Sequence, residues 1–107
     1  MKSLKFSEPL PKLILEGKKT ITWRIHDDKN IRARDKISLC NTNKKEFAKA
    51  EVLSAKEKKF RELTEEDKKG HEVFSSDKEM YKTYSRYYNI KVNPKTKVKI
   101  IKFKLIK

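Results

Sequence analysis

Lys18, Lys19, Thr20, Thr22 and Arg24 bring three cations and two hydroxyls together within seven residues. With a carboxylate, a lysine and a threonine can hydrolyse an amide. The hydroxyl attacks the carbonyl, a neutral amine takes its proton, and a carboxyl group serves the leaving nitrogen. The amine must be neutral for this, and desolvation with Lys18 and Arg24 nearby pushes a lysine that way. His71 and Glu72, just after Gly70, form a second group able to converge on the first. The tyrosines of 81–88 form a third. Binding asks less of the same residues. Arg24, Lys18 and Lys19 can hold phosphates, the hydroxyls can read a base or sugar, and a tyrosine can stack on an exposed base. The ordinary alternatives are a solvated cation for each lysine and a half-buried core position for each tyrosine.

These residues need a strand to hold them. With a period of two, Thr20, Thr22, Arg24 and His26 share one face, and Ile21, Trp23 and Ile25 share the other. Lys19 and Thr22 are three apart, so in a regular strand they face opposite ways. They meet only if Lys19 lies in the turn before the strand. A helix precedes it, with Ser7 as cap, Leu10, Leu13 and Ile14 at helical spacing, and Gly17 as its left-handed stop. A short strand over Leu4–Phe6 comes first.

Downstream, His26 to Asn30 reads as a polar loop, and its adjacent carboxylates Asp27 and Asp28 as a solvated turn rather than a metal site. Lys36–Cys40 and Phe47–Ala55 alternate as a hairpin around the turn at Asn41–Lys45. On the returning strand Ala48, Ala50 and Val52 share one face, and Phe47 and Leu53 the other. Thr64 starts a short acidic helix that Gly70 ends. Ser76 and Glu79 form a capping box for a helix over Asp77–Tyr88, whose face carries Met80, Tyr84, Tyr87 and Tyr88, with Tyr81 at its flank. At least two of the four tyrosines are expected in the core. In the last strand, Val98–Ile106, the alternation changes phase between Ile100 and Ile101, which requires a bulge or burial on both faces. The order β-α-β-β-β-α-α-β predicts an α+β fold: a small curved sheet or barrel with flanking helices.

The 107 residues fit a single domain, 1–107. Lys and Arg outnumber Asp and Glu 29 to 15, a net charge of +14. The segment from Lys91 onward holds seven lysines and no acid, whereas Glu62 to Glu79 holds seven acids against three lysines. A basic surface of this kind favours a polyanion, nucleic acid first. Lysines outnumber arginines 24 to 5, so part of the charge serves solubility alone. One cysteine, Cys40, excludes an internal disulfide; with His26 and His71 as the only histidines, no zinc site or metal cofactor is expected. No apolar run approaches a membrane span, and the N-terminus lacks the apolar stretch of a secretory signal, so a cytoplasmic protein without a membrane partner is expected.

Leu13-Ile14-Leu15-Glu16-Gly17 followed by Lys18-Lys19-Thr20-Ile21-Thr22-Trp23-Arg24 resembles the signature of the ASCH family, small domains of the PUA-like superfamily. In that signature a glycine and a basic residue precede Lys-Thr, then Thr and Arg at alternate positions. Arg34-Asp35 resembles the family's glycine–aspartate turn, with arginine in the glycine's place. Glu62 to Asp67 resembles its Glu-Leu-Thr-x-Glu-Asp helix, and Val98 to Leu105 its last strand. The resemblance implies a PUA-like small β-barrel with flanking helices, a cleft lined by the first motif, and RNA binding. Some bacterial members are amidohydrolases that deacetylate N4-acetylcytidine. For that chemistry the resemblance puts Lys19 in the lysine place and Thr22 in the threonine place. The carboxylate place falls on Glu72, or on His71 by direct count from Leu63. Two readings follow. One is an RNA-binding domain with a basic cleft using Lys18, Lys19, Thr20, Thr22, Arg24 and His71. The other is an amidohydrolase acting on a modified nucleoside through Lys19, Thr22 and Glu72.

Overall fold

The computed structural model describes residues 1–26 and 29–106. Asp27 and Asp28 of the expected polar loop lie outside them. The chain runs β1 (Lys2–Lys5), α1 (Leu10–Leu15), β2 (Ile21–Arg24), β3 (Lys36–Cys40), β4 (Glu46–Lys59), α2 (Glu65–Lys68), α3 (Asp77–Tyr88) and β5 (Lys97–Leu105), with one 3-10 turn at Phe60–Glu62. The five strands form one curled sheet in the order β1-β3-β4-β5-β2. Only β1 and β3 are parallel; the other pairs are antiparallel. Among the described residues this is an α+β half-barrel of PUA-like fold with three helices.

Both faces of the sheet are covered, which explains the phase change in β5. Ile101 and Phe103 join a cluster with Leu4, Ile37, Leu39 and Val52. Val98 and Ile100 join a second cluster with Trp23, Phe60, Met80 and Tyr84. Neighbouring strand residues point to opposite faces, so a strand buried on both sides needs no bulge to hide Ile100 and Ile101 together. The bulge lies in β4 instead. Val52 pairs with Phe103 and Ser54 with Lys102, leaving Leu53 as the extra residue and 43% exposed. A second irregularity, where β3 passes from Leu39 to Cys40, turns Phe47 onto the same core as Ala48, against the expected alternation. Its ring meets Phe6 edge-on at 6.3 Å.

The helix boundaries follow local chemistry. Helix α1 starts later than the Ser7 cap predicts. The Ser7 carbonyl closes a turn onto Leu10 N–H at 2.9 Å, and no side chain caps the helix at Pro9. Gly17 then adopts φ +77° and reverses the chain, and the Lys18 and Lys19 N–H groups return to the Leu13 carbonyl. Thr64 and Asp67 cap α2 reciprocally, and Gly70 follows at φ +87°. Ser76 Oγ accepts from Glu79 N–H at the start of α3. Tyr84 is buried, Tyr81 and Tyr88 are half-buried against the second cluster, and Tyr87 is 65% exposed.

Arg34, in the place where the family motif has glycine, keeps the left-handed conformation with φ +76°. Its N–H donates to the Val52 carbonyl at 2.7 Å. The Asp35 carboxylate receives Lys2 Nζ and the Arg32 N–H, both at 2.8 Å. The turn therefore holds its shape without the residue best suited to it.

Candidate functional site

The two edge strands, β1 and β2, are joined across the opening of the half-barrel by side chains. Arg24 Nη2 donates to the Lys5 carbonyl at 2.7 Å, and its guanidinium lies 4.7 Å from the centre of the Phe6 ring. Beside this seam lies a cleft of about 310 Å³, and Lys19, Thr22, Arg24, His71 and Glu72 all line it. Because β2 is an edge strand, Trp23 from its apolar face reaches the cleft as well.

Lys19 lies in the turn before β2, which removes the parity conflict with Thr22. The side chain is 3% exposed, and Nζ donates to Glu72 Oε2 and to the Ile21 carbonyl, each at 2.8 Å. Glu72 arrives on the stretch after α2. Gly70 O accepts from Thr20 N–H at 2.9 Å, which ties that stretch to β2. A side chain at Gly70 would put its Cβ 2.2 Å from Thr20 Oγ1, so the close approach requires glycine.

His71 is buried, stacked on Trp23 with ring centres 3.7 Å apart and 14° between planes. Its Nδ1 lies 2.8 Å from Glu72 Oε2, and its Nε2 lies 3.1 Å from the Tyr84 hydroxyl. The residue between Gly70 and Glu72 thus lines the cleft with both ring nitrogens engaged inside the protein. Among the described residues the buried polar side chains are Lys19, Thr22, His71 and Asp67. The first three belong to this site. Asp67 supports it: its carboxylate takes Lys58 at 2.6 Å and Thr64 N–H at 2.9 Å, and its carbonyl takes Trp23 Nε1 at 3.0 Å.

Charge follows from this packing. Burial lowers the Lys19 pKa, with Arg24 adding to the shift and Glu72 opposing it. Burial alone would raise the Glu72 carboxyl, but the His71 and Lys19 contacts outweigh it and hold the group at about 2. Burial, aided by Lys19, lowers the His71 pKa and favours the neutral ring. Arg24 Nε donates to Thr22 Oγ1 at 3.2 Å, so the threonine oxygen is an acceptor in this contact.

Two of the expected binding residues stand elsewhere. Lys18 is exposed and sits 3.7 Å from Glu16, and Thr20 packs against Gly70. The cleft is also aromatic rather than basic: Phe6, Trp23, Tyr84, Tyr87 and Tyr88 contribute to its walls. The sequence reading missed the Tyr84–His71 contact and the Trp23–His71 stack, since no local spacing links β2, the stretch after α2, and α3. A broader depression of about 710 Å³ lies beyond Arg24, with Arg32, Lys97 and Lys99 on its walls. No group of three or more metal-ligating side chains occurs among the described residues. No helix among them is long and apolar enough to cross a membrane.

No protein-family model matches the chain, and no curated protein sequence does. Solved structures do match. The ASCH domain from Lactobacillus crispatus JV V101 aligns with a TM-score of 0.69 at 14% identity, over 89% of this chain and 69% of that one. ASCH from Zymomonas mobilis gives 0.69 at 14% identity, over 95% of this chain and 65% of that one. The hypothetical protein PH0355 gives 0.75 at 27% identity, over 99% of this chain and 100% of that one. The curled sheet, its strand order and these neighbours agree: the chain has the fold of the ASCH domains.

Proposed function

We propose that the cleft is an amide-hydrolysing site for a small acylated nucleoside, with N4-acetylcytidine as the first substrate to test. One observation carries the reading: a buried lysine paired with a carboxylate at 2.8 Å in the same small cleft as a buried threonine. About 310 Å³ is at the small end of ligand pockets, which run from roughly 300 to 1,000 Å³. Aromatic walls suit a base.

The resting pair is Lys19 ammonium and Glu72 carboxylate. One proton moved along their hydrogen bond gives a neutral amine and a carboxylic acid, a base and an acid with no change in net charge. Thr22 Oγ then attacks the amide carbon and its proton passes to Lys19. The C–N bond breaks as Glu72 gives its proton to the departing nitrogen, leaving an acyl ester on Thr22. Water attacks the ester and releases the carboxylic acid, and the hydroxyl is restored. Arg24, donating to Thr22 Oγ1, stabilises negative charge on that oxygen as it develops. Incubation with N4-acetylcytidine should yield cytidine and acetate with the wild type and not with Lys19→Ala or Thr22→Val. Wild-type protein that releases no cytidine, or variants that release it undiminished, would overturn the reading.

A second reading, RNA association, is favoured by the broader depression beyond Arg24 with Arg32 and Lys97 on its walls. Phosphate contacts there would give binding that weakens steeply with salt and weakens further in Arg32→Ala with Lys97→Ala. Affinity for single-stranded RNA indifferent to both would exclude it.

A further inference from the structure

We infer that Tyr84 and His71 are positioning residues that set the orientation and charge of Glu72. The inference deepens the amide-hydrolysis reading but concerns the geometry of the site whether or not that substrate is the right one.

The chain of contacts fixes the direction of each hydrogen bond. Tyr84 is buried on α3, and burial keeps its hydroxyl protonated well above the ordinary range. Facing a neutral imidazole at 3.1 Å, the hydroxyl donates and Nε2 accepts. The ring proton is then on Nδ1, 2.8 Å from Glu72 Oε2. Had Nε2 carried the proton, Nδ1 would present a lone pair to a carboxylate. The Trp23 stack fixes the plane of the ring, and the Tyr84 hydroxyl at Nε2 and the two Glu72 oxygens at Nδ1, Oε2 and the backbone carbonyl, favour the same tautomer. His71 Nδ1–H and Lys19 Nζ–H both meet the same carboxylate oxygen, Oε2. Among the described residues no hydrogen bond to Oε1 is found. Other charged and titratable groups around this network are Arg24 from β2 and Tyr87 and Tyr88 from α3.

The arrangement gives His71 a role different from a base or a ligand. Both its nitrogens are occupied, and its effect reaches the cleft through Glu72. The same logic explains a histidine beside the carboxylate in a chain with only two.

The experiment is side-chain nitrogen NMR of His71 at neutral pH, with carbon NMR titration of the Glu72 carboxyl. The wild type should show a protonated Nδ1 and an acceptor Nε2. Tyr84→Phe should leave the proton on Nδ1, held by Glu72, and shift the Nε2 resonance as its hydrogen bond is lost. His71→Ala should move the Glu72 titration upward by about one pH unit. His71→Asn, which keeps an N–H near the place of Nδ1, should reverse part of that shift. With N4-acetylcytidine, Tyr84→Phe should lower kcat about tenfold and change KM less than about twofold. A wild-type ring protonated at Nε2, or an Nε2 resonance unmoved by Tyr84→Phe, would overturn the inference. Absence of cytidine release from the wild type would overturn the amide-hydrolysis reading alone, because the tautomer and the carboxyl titration decide the positioning role independently.

Discussion

Trp23 and His71 lie in one stack, with ring centres 3.7 Å apart and planes 14° from parallel. Trp23 anchors β2 in the core that β5 and α3 share, and its indole N–H holds the α2 backbone through the Asp67 carbonyl. The candidate site is therefore built on the core rather than laid over it. Rigid support of this kind keeps catalytic or binding groups within a narrow range of positions.

Glu72→Gln should reduce the acid sensitivity of the fold. The folded-state carboxyl is held at about 2, below its ordinary 4.5, by His71 and Lys19 against the opposing effect of burial. A depressed carboxyl stabilises the fold fully above its unfolded value, and that contribution is lost as pH falls from 4.5 towards about 2. After discounting for solvent screening it is worth about 1–3 kcal/mol. Urea unfolding across this window should show the wild type losing that much more stability than Glu72→Gln. Parallel losses in the two proteins would refute the coupling.

Gly70→Ala should cost about 2 kcal/mol or more and disorder the site. The position has φ +87°, and an added Cβ would sit 2.2 Å from Thr20 Oγ1. Combining it with Thr20→Ala should recover the part due to the clash and leave the part due to backbone strain. Denaturant midpoints of the two single variants and the double variant separate the terms.

Arg34→Gly should stabilise the protein by about 0.5–1 kcal/mol. Arg34 holds φ +76°, and an L-residue pays a conformational cost there that glycine avoids. The greater freedom of glycine in the unfolded chain offsets part of the gain. A higher urea midpoint with an unchanged m-value would bear this out; a lower midpoint would show that the arginine side chain contributes more than the strain it carries.

Tyr87→Ala should weaken cytidine binding about tenfold with little change in stability. The ring is 65% exposed at the wall of the cleft, so its removal costs little packing, whereas stacking on a base is worth about 1–3 kcal/mol. Isothermal titration with cytidine, alongside thermal unfolding, distinguishes a stacking platform from a structural tyrosine.

The sequence by itself determined the elements and the motif. Period-two alternation placed Ile21, Trp23 and Ile25 in the core, Gly17 marked the end of α1, and Thr64 and Ser76 the starts of α2 and α3, because these signals act over a few residues. The resemblance to the ASCH signature singled out Lys19, Thr22 and a carboxylate as candidates for amide chemistry. Only the tertiary structure decided the rest. Lys19 meets Glu72 across 53 residues of chain because the turn after α1 and the stretch after α2 are tied at Thr20 and Gly70. Lys18, one residue earlier, points to solvent. Of the two ways to hide Ile100 and Ile101 together, burial on both faces is the one found, because α3 helps cover the second face of β5. His71 became a partner of Tyr84 through the packing of α3 against β2. Burial and long-range packing are set by where elements meet, and neither residue types nor local spacing records that.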